Sequence, residues 1–343
     1  MNPRPPLSVA VIGATGAVGR CMVRVLEERA FPLSSLRLFA TERSAGIRIP
    51  FRGEQIEVET FAPERIAPDS VALALMSAGG ETSRRVARAV AHRGAVVIDN
   101  SSAWRMDDDV PLVIPEINGE DVRGHHGIIA VPNCSTIGML MALAPLHRRW
   151  RLRRIVVATY QSVSGNGQAG IADLVAQEAD LAAAPRAFHR RIRHNVLPLI
   201  DTPMPDGSTR EEWKMVHETQ KILHDHTIGV IATCVRVPVP VGHGEAIVAE
   251  FAEEPDVAEA RRLCDGFPGV RVMDDLAAGL VPIPEDVSGT DEVLVGRIRR
   301  DTSAPHSLAL WCVSDNLRKG AATNAVQIAE TLLAQMAEPS QHA

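Results

Sequence analysis

No apolar run in the 343-residue chain approaches the ~20 residues that a membrane-spanning helix requires. Met1 to Leu7 is too short and too proline-rich for a signal peptide. These absences point to a cytoplasmic protein with no membrane partner. Cysteine is sparse and poorly spaced for pairing: Cys21, Cys134, Cys234, Cys264 and Cys312 are odd in number, scattered, and include no CxxC. That argues against a disulfide framework and a zinc site, and for a reducing compartment. Positive charge is in deficit too. With 36 Lys+Arg against 42 Asp+Glu the formal net charge is −6, which offers no electrostatic case for nucleic acid or an anionic membrane. Short basic clusters such as Arg190-Arg191 and Arg299-Arg300 read as solvated faces. No tandem repeat or low-complexity tract occurs. What is present is length and apolar content, 45% hydrophobic, enough for two domains with real cores.

Leu7 to Ile12 reads as a strand running into Gly13-Ala14-Thr15-Gly16-Ala17-Val18-Gly19, and a helix follows with Val18, Met22, Val25 and Leu26 at helical spacing. This G-x-x-G-x-x-G turn is a variant of the dinucleotide fingerprint. Its glycines let backbone approach a pyrophosphate, and the helix start supplies N–H donors and positive potential. The next strand, Leu36 to Ala40, ends where a ribose-binding acid is usual, but Thr41-Glu42-Arg43-Ser44 follows instead. Arg43 and Ser44 suit a 2′-phosphate and so favour NADP(H), whereas Glu42 directed at the ribose would favour NAD. Further strands over Val71–Met76, Ala95–Ile98 and Gly127–Val131, with a helix from about Glu81 to His92, predict a doubly wound, mostly parallel sheet. Arg105, just past a strand end, is a candidate anion clamp or, more blandly, a surface ion pair.

The stretch Val131-Pro132-Asn133-Cys134-Ser135-Thr136 stands between a strand and a helix. Asn133 is a good N-cap, which places Cys134 in the first turn, facing unpaired N–H groups and the positive end of the dipole. A buried structural cysteine is the alternative. Beyond it the rhythm changes. Arg154 to Ser162 reads as a strand leading into the turn-rich Ser164-Gly165-Asn166-Gly167, where a cofactor ring could approach backbone, and helices follow over about Ala169–Ala184 and from Thr209 to about His224. Glu211 and Lys214 share a helix face, a pair that is commonly solvated. Thr227 to Val241 reads as one long β run with Arg236 inside it, an arginine that needs an anion or a carboxylate partner. His243 falls in a Gly-flanked turn that would present it flexibly. Strands over Ala246–Phe251, Glu292–Arg300 and Ser307–Ser314 complete a mixed or antiparallel sheet with helices on one face, and a helix from Ala321 to Met336 packs back on the first domain.

The expected fold is α/β: an N-terminal Rossmann-type dinucleotide-binding domain, 1–133, joined by a C-terminal helix 317–343, plus an α+β catalytic and dimerisation domain, 134–316, with a mixed sheet. Gly13–Gly19, Pro132–Thr136, Tyr160–Gly165, Arg236-Val237-Pro238-Val239 with His243, and Asp315–Gly320 together resemble the bacterial aspartate-semialdehyde dehydrogenase family, in the family's order, from about Leu7 to Glu330. The resemblance implies reversible NADP-dependent conversion of aspartate semialdehyde and phosphate to aspartyl phosphate, in lysine, threonine and methionine biosynthesis, by a homodimer or homotetramer. It further implies Cys134 as nucleophile, His243 as acid–base and Gln161 as orienting residue. Arg236 would hold the α-carboxylate, Glu211 the α-ammonium, and Arg105 and Lys214 the phosphate. Gly13, Thr15, Gly16, Ala17, Val18, Arg43, Ser44, Ser164, Gly165 and Asn316 would line the cofactor. The Arg/His-rich 182–206 departs from the family's usual text. The chemistry agrees: a thiolate attacks an aldehyde, and phosphate cleaves the resulting thioester. Two rivals are an N-acetylglutamyl-phosphate reductase-like enzyme, which would have no need of Glu211, and a non-catalytic paralogue, which would be expected to lose Cys134 or His243.

Overall fold

Leu7–Ile12 forms β1 and Ala17–Glu28 forms α1, opening a computed structural model that describes residues 7–336. The chain continues through β2 (Leu33–Ala40), β3 (Arg48–Phe51), β4 (Glu54–Thr60), β5 (Leu73–Met76), α2 (Gly80–Ala91), β6 (Val96–Asp99), a one-turn helix α3 (Pro115–Asn118) and β7 (Ile128–Ala130). These strands make a seven-stranded sheet in the order β3-β4-β2-β1-β5-β6-β7. Every pairing is parallel except β3 with β4. Helical cover on a parallel sheet explains why β5 is buried along its whole length and reads as a continuous apolar run.

The chain then forms α4 (Cys134–Trp150), β8 (Leu152–Gln161), α5 (Gly167–Ala179), α6 (Arg210–Ile222), β9 (Gly229–Arg236), β10 (His243–Phe251), α7 (Val257–Asp265), β11 (Val270–Val272), a one-turn α8 (Pro284–Val287), β12 (Val293–Arg300) and β13 (Ser307–Ser314). Their sheet runs β11-β12-β13-β10-β8-β9 and is mixed: β8/β9 and β11/β12 are parallel, the rest antiparallel. Helices α4, α6 and α7 cover one face. On the other, Tyr160 of β8 and Ile231 of β9 are exposed at 40% and 57%.

Two compact units result among the described residues: 7–132 together with 321–336, and Asn133–Gly320. The α/β class, the parallel first sheet and the mixed second sheet are those expected. α9 (Thr323–Met336) belongs to the first unit and packs on α1, β5 and β6. It is preceded by a π-helical turn, Arg318–Ala322, rather than starting at 317; the expected helix beyond Met336 lies outside the described residues.

Several expected boundaries move for local reasons. α5 stops at Ala179 rather than near Ala184: Asp180 is extended, and its Oδ1 accepts the Ala182 N–H at 2.8 Å in a local turn that competes with further helix. The long run over Thr227–Val241 is a strand only over Gly229–Arg236; Pro238 and Pro240 have no N–H to donate to a ladder. β3, β4 and β11 are not apparent in the sequence, β3 and β11 because they are short and β4 because it is rich in charge.

Candidate active site

In the first unit, the glycine turn does two different jobs. Gly13 has φ +89°, and a Cβ there would lie 2.2 Å from the Ser77 carbonyl; a Cβ on Gly19 would lie 2.1 Å from the Gly13 carbonyl. Both are required by packing. Gly16 is exposed, and its nearest neighbour to an added Cβ is the Gly13 oxygen at 3.4 Å, so its bare backbone leaves room for a ligand. α1 begins at Ala17 with no side-chain cap and no acid in its first turn. The first amides, at Ala17 and Val18, have no helical acceptor and suit a pyrophosphate. Thr15 Oγ1 hydrogen-bonds Ser44 Oγ at 3.3 Å, which brings the loop after β2 beside the turn; Arg43 and Glu42 are exposed there. Gly79-Gly80, at the start of α2, forms a second bare helix N-terminus that the sequence reading passed over.

Arg105 is buried, not a surface ion pair, and donates through Nη2 to the Asn100 carbonyl at 3.0 Å. The loop that carries it is braced by Asp99, whose Oδ2 accepts from Ser83 Oγ (2.8 Å) and Ser101 Oγ (2.5 Å). Burial raises the Asp99 carboxyl's pKa, against the pull of those hydroxyls.

In the second unit, Asn133 caps α4 as expected, its Oδ1 accepting from Ser135 and Thr136 N–H at 3.0 and 3.3 Å. This corrects the expectation that Cys134 faces unpaired amides: the cap takes two of them, and the helix dipole remains. Asn133 also ties in two acids. Its N–H donates to Glu218 Oε2 at 2.6 Å and its Nδ2 to Glu211 Oε1 at 2.9 Å. Glu218 is fully buried; its i+7 spacing from Glu211 on α6 was a signal left unread.

Glu211 is buried and its partner Lys214 half-buried, so the pair is not a solvated one. Glu211 Oε2 accepts from Lys214 Nζ at 2.8 Å, Lys214 also reaches Asp201 Oδ2 at 2.8 Å, and Gln161 Nε2 donates to Glu211 Oε1 at 3.2 Å. Burial alone pushes the Glu211 carboxyl up, but the Lys214 ammonium and the donors from Lys214, Asn133 and Gln161 overcome it and hold it at about 2. Gln161 is itself buried and also donates to Ser135 Oγ at 2.9 Å.

His243 is not in a flexible turn. It is the first residue of β10 and has no exposed surface. Ser162, which in sequence is no more than the polar end of a strand, is the hub here. Its N–H donates to His243 Nδ1 at 3.1 Å, its hydroxyl lies 3.1 Å from the same nitrogen, and its carbonyl accepts from Arg236 Nη1 at 2.7 Å. Burial and then the Arg236 charge press the His243 imidazole down to about 3. Arg236 is buried, which lowers its guanidinium's pKa, an effect partly offset by Glu211 and by Cys134. Gly165 completes the pocket: a Cβ there would fall 2.5 Å from Arg236 Nη1 and 3.4 Å from His243 Cε1. Asn316 is a buried brace, accepting at Oδ1 from Ser162 Oγ (3.0 Å) and Gly242 N–H (3.0 Å) and donating from Nδ2 to Ser164 Oγ (3.0 Å). Among the described residues no cluster of three His, Cys, Asp or Glu is placed to hold a metal ion.

Residues 8–125 match the semialdehyde dehydrogenase NAD binding domain, and 143–319 the semialdehyde dehydrogenase dimerisation domain. The aspartate-semialdehyde dehydrogenase of Aquifex aeolicus (strain VF5) is 49% identical over 332 residues, 95% of this chain and 97% of that one. The chain belongs to the aspartate-semialdehyde dehydrogenase family. The Bacillus subtilis (strain 168) member is 44% identical over 338 residues, 95% of this chain and 97% of that one. A crystal structure of aspartate semialdehyde dehydrogenase II from Vibrio cholerae, complexed with ASA, superposes with a TM-score of 0.92 at 45% identity, covering 96% of this chain and 98% of that one.

One feature of this family member lies close to His243 along β10. Glu245 sits two residues after His243 on the same face of β10, is 1% exposed, and has no hydrogen-bond partner for either carboxyl oxygen among the described residues. Burial drives its carboxyl pKa well above the ordinary value. A folded pKa above the unfolded one means stability lost as pH rises from the unfolded value of about 4.5. Glu245→Gln is therefore expected to match the wild type in melting temperature at pH 4 and exceed it at pH 8; a variant no more stable at pH 8 would refute the neutral acid.

Proposed function

We propose that the protein is an aspartate-semialdehyde dehydrogenase that interconverts L-aspartate 4-semialdehyde and phosphate with L-aspartyl 4-phosphate through a thioester on Cys134, with NADP(H), in amino-acid biosynthesis. The observation that carries the substrate is Glu211. A buried, ionised carboxylate beside Gln161 suits a free ammonium, and an N-acylated substrate would offer it none. Arg236 is assigned to the α-carboxylate.

The Cys134 thiolate, favoured by the α4 dipole and the nearby Arg236 charge, attacks the aldehyde carbon. Because His243 Nδ1 accepts the Ser162 N–H, the neutral ring carries its proton on Nε2, which is set to donate a hydrogen bond to the adduct's oxyanion until the carbonyl re-forms. The nicotinamide, when bound, supplies or accepts the hydride between adduct and thioester. Phosphate then attacks the thioester carbon and Cys134 leaves as thiolate. Arg105 and Lys214 are our candidates for phosphate; Lys214 would loosen its hold on Asp201 to serve. The Gly13–Val18 turn is assigned to the pyrophosphate, Arg43 and Ser44 to a 2′-phosphate, and the Ser164-Gly165 backbone, braced by Asn316, to the ring. The exposed face of the second sheet, within the matched dimerisation domain, is assigned to a second copy.

The test is phosphate-dependent NADPH formation from aspartate semialdehyde, followed at the reduced nicotinamide absorbance. Turnover only with the N-acetylglutamate counterpart would sink this reading. A further outcome is expected in the pH profile: with His243 held near 3, kcat/KM should show no acid limb near the ordinary imidazole value of about 6.5. A limb there that His243→Gln removes would contradict the buried neutral ring.

A further inference from the structure

Arg186, His189, Arg190, Arg191, Arg193 and His194 are concentrated in one short stretch of a chain whose net charge is −6. The sequence alone reads Arg190-Arg191 as a solvated face, but the structure shows a stretch locked in place. Asp173 Oδ2, from the buried side of α5, accepts the backbone N–H groups of Arg186 and Ala187 at 2.9 and 2.8 Å. Gln177 Oε1, one turn on, accepts those of Ile192 and Arg193 at 3.0 and 3.1 Å. Asp173 and Gln177 are 3% and 1% exposed.

The stretch is also fastened to the candidate site. Asn166 Nδ2 donates to the Ala187 carbonyl at 3.0 Å, Phe188 and Ile192 pack with Val163 in one apolar cluster, and Leu197 exchanges backbone hydrogen bonds with Arg236. The basic run therefore borders both the Ser164–Gly167 loop and the strand of Arg236.

The acid that anchors the run, Asp173, spends its carboxylate on backbone N–H groups and not on the arginine side chains. Arg186, Arg190 and Arg191 are exposed, and none of them, nor Arg193, has an ion pair among the described residues. Arg193 Nε is buried without a hydrogen-bond partner. Asp201, the next acid along the chain, is already held by Lys214. Like charges fixed together repel, and an oppositely charged partner from outside the subunit relieves that repulsion.

We propose that Arg186–His194 is an anion-gathering rim that draws phosphate-bearing reactants toward the Ser164–Gly167 side of the second unit, speeding their association and leaving the chemical step untouched. The inference rests on the proposed reaction, whose dinucleotide and inorganic phosphate share this chemistry. Steering by a fixed charge cluster raises association roughly 10- to 1000-fold and is lost when salt shortens the screening length to about 3 Å near 1 M.

The experiment uses the full chain carrying Arg190→Glu with Arg191→Glu, and separately Arg190→Gln with Arg191→Gln, assayed from about 10 mM to about 1 M ionic strength. NADP is varied at saturating phosphate, and phosphate at saturating NADP, so the parameter that moves identifies which anion is gathered. The expected result is a fall in kcat/KM of about tenfold at low salt for the glutamate pair, a smaller fall for the glutamine pair, unchanged kcat, and convergence with wild type at high salt. Salt-independent kcat/KM equal to wild type in both pairs overturns the proposal. So does a salt-independent loss accompanied by a change in sedimentation, which would make the stretch a contact between copies. Wild type that fails to turn over at all would count against the proposed reaction instead, which keeps the two failures distinct.

Discussion

Cys134→Ala is expected to lower phosphate-dependent NADPH formation by about four orders of magnitude or more, with the folded structure intact. The loss should be this large because no second thiol is available to substitute. Among the five cysteines only Cys134 is partly exposed; Cys21, Cys234, Cys264 and Cys312 are buried. Burial pushes the Cys264 thiol up to about 12 and those of Cys234 and Cys312 well up too, so they remain protonated and inert. Alkylation should therefore add one equivalent to the native wild type and none to the variant, as read by mass. Alanine at 134 removes only the thiol and leaves the Asn133 cap in place, so circular dichroism and melting should scarcely change. A variant retaining more than about one per cent of wild-type turnover would end the case for a thioester at this position.

Lys214→Met should be the most damaging single change to stability, by about 3 kcal/mol, because it strands a buried carboxylate. Glu211 would keep Asn133 and Gln161 as donors but lose its ammonium, and Asp201 would lose the same partner. The pH signature follows from Glu211 having a folded pKa of about 2, below the ordinary carboxyl value. Its contribution is fully present above about pH 4.5 and is lost as pH falls through 2. In Lys214→Met burial is no longer opposed by the ammonium, so that acid-side loss should shrink and the gap between variant and wild type should narrow toward pH 3. Urea midpoints at pH 7 and pH 3 measure this. Equal midpoints at pH 7 would mean the pair is solvated after all. The variant should also raise KM for the aldehyde, whereas Lys214→Arg, which keeps the charge, should lose less on both counts.

How much of this was legible in the chain depends on whether a residue's role is decided nearby. The glycine turn, the strand–helix passage around it, the Asn133 cap and the position of Cys134 are local arrangements, and each reads from a few adjacent residues. So does the capping box of Thr209 and Glu212 that starts α6. The end of β9 is legible too, in Pro238 and Pro240, whereas that of α5 turns on Asp180, whose side chain takes the Ala182 N–H. His243 is different in kind. Its flanking glycines suggest a turn, yet Gly242 is needed because it has φ +94° and a Cβ would meet Pro284 at 2.8 Å, and Gly244 because a Cβ would meet the Trp311 ring at 2.4 Å. Those partners lie far along the chain, and no spacing rule reports them. The burial of Glu211 beside half-buried Lys214 is hidden for the same reason: an acid–base pair on a helix looks the same in sequence whether its face meets water or Asn133 and Gln161.

The placement of α9 has a consequence for synthesis. The strands of the first sheet are complete once β7 has been made, but the helix that packs against β5 and β6 is encoded after the whole of 133–320. At about 5–20 residues per second that interval is on the order of ten to forty seconds. Throughout it, the nascent first unit displays the apolar surface that Ala325, Ile328, Ala329 and Leu332 later seal. A chain stalled before residue 321 would present the strands of the first sheet without α9, so the quality-control burden falls on strands made long before the helix that covers them.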